Sequence, residues 1–219
     1  MQHLKELSTC GNGRAVLNRY AYMGTLEEQP VLSFCDKNGV DLLFVEVLWE
    51  AFQSNTLPDA ERLLAFDTTM ILDYLEKTHT YYLDKLVPEL ELTLFNMVQI
   101  IGLSNPFTVE LIQRFHAYRV ELVEHIKDEE GQFFSYAKQL LGTSREHLNF
   151  SVDRFVSEHK HHEEDITSMI HFIKYHVEDI DLLTYKVFIG KLELLQRDLL
   201  IHAFVEDHVL VPKIKLLEG

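Results

Sequence analysis

The chain has 219 residues, 47% of them hydrophobic, and a formal net charge of −15. That is enough for one large domain with a sizeable core, and the wrong sign for a protein that grips a phosphate backbone, so no nucleic-acid partner is expected. Two cysteines, Cys10 and Cys35, make no disulfide framework, Met1–Arg14 lacks the apolar run of a signal peptide, and no stretch approaches the roughly 20 apolar residues of a membrane span; a soluble, cytoplasmic protein without a membrane partner is expected.

Cys10-Gly11-Asn12-Gly13 reads as a turn, and Gly24 and Gly39 bracket a short helical segment around Gln29 to Asp36. Asp41–Ser54 has helical periodicity and breaks at Asn55-Thr56-Leu57-Pro58, with a linker expected near Ser54–Phe66. Residues 1–60 are therefore expected to form a small helical N-terminal subdomain, and residues 61–219 a separate bundle. Within the bundle, Asp67–Ser104 is the first long helical pattern, with a kink expected at Pro88. The second runs from Phe107 to Leu141 and stops at Gly142. The third runs from about Ser144 to Val177, and the fourth from about Asp181 to Leu210, with Pro212 marking its end. Apolar residues recur at three- and four-residue steps, as in Leu192, Leu195 and Leu199. No alternating strand pattern competes, so the fold is all-α, a four-helix up-and-down bundle.

Twelve histidines are present, and their placement matters more than their number. His3, His116, His147, His171 and His176 read as solvated helix-surface residues. Four helices each keep an imidazole for a core-facing position: His79 on the first, His125 on the second, His159, His161 or His162 on the third, His202 on the fourth. Two of these helices repeat one layout, His125-x-x-x-Glu129 and His202-x-x-x-Glu206. Residues four apart stack on one helix face, so imidazole and carboxylate point together into the interior. Such polarity buried without a partner is costly, and metal ions would satisfy it. Imidazole and carboxylate without thiolate suit iron or manganese, and zinc less specifically. Two glutamates from different helices could bridge a pair of ions about 3.5–4 Å apart.

The segment Ile201–Pro212 resembles the His-x-x-x-Glu-Asn-x-x-Leu-Phe-Pro signature of hemerythrin-like proteins, and more narrowly the di-iron proteins for repair of iron centres. Tyr74–Leu90 is similar to the first ligand helix of that family, His125–Phe134 to the second, and Ser157-Glu158-His159 to the third. The resemblance covers roughly residues 67–215. It implies His79, His125, His159 and His202 as terminal ligands, Glu129 and Glu206 as bridges, and two iron ions, oxo-bridged when oxidised. Oxygen-carrying hemerythrins place a second histidine one turn beyond the third-helix ligand, where this chain has Glu163; Asp207 stands where they place an aspartate and is the rival of Glu206. Fuller relatives carry adjacent cysteines upstream, which this chain lacks, and Ser135 stands where the second helix often has proline.

The resemblance implies a non-haem di-iron protein that restores iron–sulfur centres under oxidative or nitrosative stress, with iron–sulfur proteins as clients. The alternative is a protein that binds or senses O2 or NO at the same site without a repair role. Neither requires a catalytic side chain beyond the metal ligands, and no Ser-His-Asp or Cys-His arrangement stands out.

Overall fold

The computed structural model describes residues 16–20, 31–142, 150–158, 163–176 and 183–218, and every regular element among them is helical. α1 (Val31–Asn38) and α2 (Leu42–Ser54) flank Gly39, which turns the chain with φ at 66°. Asp41 starts α2 by accepting from the Leu43 N–H at 2.8 Å. The stretch read as a linker contains a further helix, α3 (Ala60–Leu64), capped by Asp59 and anchored by the fully buried Leu63. Phe66 adds to the anchor, its ring edge-on to Phe44 with centroids 5.3 Å apart.

Asp67 caps α4 (Thr68–Tyr81) through the Thr69 N–H at 2.8 Å. The same helix continues through a π-helical turn, Tyr82–Leu86, into α5 (Val87–Ile101), and stops at Gly102. Asn105 caps α6 (Pro106–Asp128), with Pro106 at the position where a missing N–H costs nothing. A π turn at Glu129–Phe134 leads into α7 (Ser135–Leu141). Next come α8 (Val152–Glu158) and α9 (Glu163–His176). α10 (Leu183–Val205), a third π turn at Glu206–Leu210, and α11 (Val211–Glu218) complete the chain. Contacts of α5 with α6, α6 with α9, α9 with α10 and α10 with α5 close the four-helix bundle.

Three expectations about boundaries are corrected. Pro88 does not interrupt the helix, and Pro212 does not end the last one. In an α-turn each proline would leave the carbonyl four residues back without its N–H donor and press its ring on it. The widened turn removes the conflict: Val87 N–H bonds the Tyr82 carbonyl, and Val211 N–H bonds the Glu206 carbonyl. Ser135 stands six residues after the start of its own π turn, as each proline does, its hydroxyl donating to the Glu130 carbonyl at 2.8 Å. The third helical pattern, read from Ser144, begins as described helix only at Val152, where the Ser151 hydroxyl accepts from Arg154 N–H. Residues 143–149 lie outside the described residues.

Buried apolar side chains form two clusters. One gathers Phe44, Leu48 and Trp49 of α2 with Ile71, Leu75, Phe133, Ile201 and Val209, so α2 shares a core with the bundle. Arg197 of α10 adds a polar tie, donating to the Ala51 carbonyl at 2.8 Å and to that of Thr56. The other cluster fills the far half of the bundle with Leu90, Phe115, Leu122, Ile170, Phe188 and Leu195.

Candidate metal centre

The two apolar clusters meet at a polar layer, and the repeated His-x-x-x-Glu spacing sets its position. On α4, His79 lies between Leu75 of one cluster and Tyr82 of the other. On the second helix, Glu129 lies between Ile126 and Phe133. On α10, His202 lies between Leu199 and Val205. All three, with Glu206, are buried. Phe134 stacks flat on the His79 ring, centroids 5.2 Å apart, which fixes its plane.

Glu129 is the hinge of the arrangement. Its Oε2 lies 2.9 Å from Nε2 of His79, and its Oε1 lies 3.0 Å from Nε2 of His125. Each oxygen thus faces an imidazole from a different helix. His79, Glu129 and His202 each offer a ligand atom, all within 4.8 Å of one another, and the His79 and His202 rings are 4.8 Å apart. His125 is the most accessible of the set, with 15% of its side chain exposed.

The electrostatics of this layer are unfavourable without a cation. Burial, and then the Glu129 carboxylate beside it, push the Glu206 carboxyl well above the usual carboxylate range. Burial, reinforced by the nearby His79, pushes the His202 imidazole well below its ordinary value. Burial opposes the charged form of His79 too, but hydrogen bonding and charge from Glu129 and Glu130 outweigh it and raise this imidazole. His202 Nε2 is buried with no hydrogen-bond partner among the described residues.

A set of plain His–Glu ion pairs would account for the contacts of Glu129 but not for the rest. It leaves His202 Nε2 orphaned, and it leaves two carboxyls crowded together in the core. A cation answers both. Its fit can be judged from spacing. Two donors at right angles, each about 2.1 Å from one ion, stand about 3 Å apart, as the two His–Glu129 contacts do.

Of the residues expected at the site, the structure brings together His79, His125, Glu129, His202 and Glu206. Asp207, the rival of Glu206, is only partly buried. His159, with its rivals His161 and His162, lies outside the described residues. His116, His171 and His176 are exposed as expected; His3 and His147 are not among the described residues.

Two features were missed from sequence. Glu130 accepts from Nδ1 of His79 at 3.1 Å, which turns Nε2 toward the layer. Beyond His202, Asp198 is buried and accepts hydrogen bonds from Tyr82 Oη, at 2.8 Å, and from Arg19. Burial raises the Asp198 carboxyl, against the pull of Arg19. Asp198 was legible, because it extends the four-residue step backward from His202 and Glu206. Arg19 carries no such signal.

A helical bundle that focuses imidazoles and carboxylates from facing helices on one interior point belongs to the class of metal-binding bundles. The hemerythrin HHE cation binding domain matches residues 70–214, and the chain belongs to this family: it is a cation-binding protein. No curated protein matches the chain closely enough to count as a relative. Among the described residues no helix is long and apolar enough to cross a membrane.

Proposed function

We propose that the chain holds two iron ions between His79, His125, Glu129, His159, His202 and Glu206, and that this centre serves the repair of iron–sulfur centres under oxidative or nitrosative stress. The observation that carries the dinuclear reading is the split engagement of Glu129, one oxygen toward His79 and the other toward His125. A carboxylate engaged on both oxygens by different helices is arranged to bridge. Glu206, buried against Glu129, is the second bridge, and His159 completes the set from the third helix. When bound, iron supplies one-electron chemistry and affinity for diatomic molecules such as O2 and NO.

The chain's own residues account for selectivity and release. Glu130 holds His79 in the tautomer that presents Nε2. Phe134 and the two apolar clusters exclude bulk water from the carboxylates. His125, partly exposed, is the side from which an ion or small ligand can enter or leave. The repair role, the stress context and a cytoplasmic setting follow from the resemblance of the ligand helices to the repair proteins.

Elemental analysis of protein prepared without oxygen tests the centre, with about two irons per chain expected. Glu129→Ala or His202→Ala should lose most of it. Unchanged iron in both variants, or stoichiometric zinc in the native protein, would overturn the assignment. Incubation of the loaded protein with an apo iron–sulfur protein then tests repair. Iron transfer with recovery of the cluster supports it, and reversible gas binding without transfer favours the binding role instead.

A further inference from the structure

The segment 16–20 sends one cation into the bundle. Arg19 is the only lysine or arginine buried among the described residues, while Val16, Leu17 and Tyr20 around it join the apolar cluster of α2. Its Nε donates to the Thr78 hydroxyl at 2.7 Å, and its guanidinium pairs with Asp198. The guanidinium also lies over the rings of Tyr74 and Tyr81, at 5.2 and 5.4 Å.

Both polar partners are placed beside residues of the centre. Thr78 directly precedes His79. Asp198 lies one turn before His202, and the Tyr82 phenol that donates to it has its ring 6.0 Å from the His202 imidazole. A buried ion pair rarely stabilises a fold more than well-packed apolar side chains of the same volume, so one tying α4 to α10 at the ligand-bearing turns is a poor device for stability alone.

We infer that Arg19 is a positioning residue of the metal centre, and that the seating of segment 16–20 and the retention of the cation form one linked equilibrium through Thr78–His79 and Asp198–His202. The inference rests on the cation-binding reading of the centre. Linkage makes the effect reciprocal: the bound cation holds the segment in place, and the seated segment holds the cation.

The test uses the full chain, free of metal and loaded with ferrous ion without oxygen. Amide hydrogen exchange of residues 16–20 should slow on loading by about 5–150-fold, the span typical of coupled sites. Arg19→Gln should release ferrous ion to a chelator faster by a similar factor, well below its melting temperature. Arg19→Lys, which keeps the charge but loses the planar fork, should recover part of the retention. If Arg19→Gln does not fold, the exchange measurement on the native chain decides alone. Native protein that binds no metal sinks the reading of the centre. Native protein that binds metal, with exchange at 16–20 unmoved by loading or with native release from folded Arg19→Gln, overturns only the role of Arg19.

Discussion

Glu206→Gln should have opposite effects on the metal-free and the metal-loaded protein. The side chain keeps its size and can still hydrogen-bond to Glu129, but the buried acid held against a second acid is gone. Because burial and Glu129 raise the Glu206 carboxyl in the folded state, the native protein binds the extra proton. Its contribution is therefore full below the unfolded carboxyl value and is lost as pH rises through the folded one. Metal-free wild type and variant should melt together near pH 5 and diverge toward pH 8. Relieving a buried, badly accommodated polar group is worth about 1–3 kcal/mol. For a chain of this size each kcal/mol moves Tm by about 2–4 °C, so the metal-free variant should melt about 2–12 °C higher at pH 8. Loading reverses the order. Wild type gains about 4.1 kcal/mol at a metal concentration a thousandfold above Kd, more than its metal-free deficit, and the variant, short of a ligand, gains little. Thermal melts at both pH values, with and without ferrous ion, read all four states. A metal-free variant no more stable than wild type at pH 8, or one that keeps the native metal content, would refute the reasoning.

Glu130→Gln leaves the core untouched, since the carboxylate is half exposed, but loosens His79; metal affinity should fall about 10–100-fold by chelator competition, with Tm nearly unchanged. Phe134→Ala removes a fully buried ring that also stacks on His79, and chemical denaturation should show a loss of about 3–5 kcal/mol. Asp67→Ala removes the cap of α4 and should cost about 1 kcal/mol at neutral pH. Hydrogen bonds from Thr69 hold the Asp67 carboxyl below its usual range, so its contribution is present above the unfolded value and is lost as pH falls through the folded one. The difference between this variant and wild type should shrink in acid melts.

The parts of this molecule readable from sequence are those with a local rule behind them. Asp41, Asp67 and Asn105 are caps because a short polar side chain reaches an N–H two residues on. The pairs His125/Glu129 and His202/Glu206 were legible because residues four apart share a helix face, whatever the helix packs against. Glu130 was not, because its partner His79 is on another helix and only the packing of α4 against the Glu129–Phe134 turn brings them together. Arg19 was not legible either, because its partners Thr78 and Asp198 are distant in sequence and only packing brings them to it. Pro212 misled because the reading allowed only α-turns, in which proline is a stop.

The π turns and the polar layer are two sides of one packing problem. A plain α-helix turns one stripe toward the core, and a run of adjacent buried residues widens that stripe. Tyr81 and Tyr82, Phe133 and Phe134, and Val209, Leu210 and Val211 are such runs beside the layer. Every one of these runs touches or lies within a widened turn. One extra residue per turn rotates the next stretch of helix by about 100° about its axis, enough to bring the next side chain into the core. Two of the three turns open on a site carboxylate, Glu129 or Glu206, and the third opens on Tyr82, whose ring contacts His202. The register therefore changes at the layer itself: on α6 and α10 the residues before it pack into the far cluster, those after it pack around α2, and the ligands occupy the plane where neither apolar pattern holds. This is why a buried set of acids and imidazoles can sit in the middle of the bundle without exposing either half of its core, and why π turns fall at a functional site here as they do elsewhere.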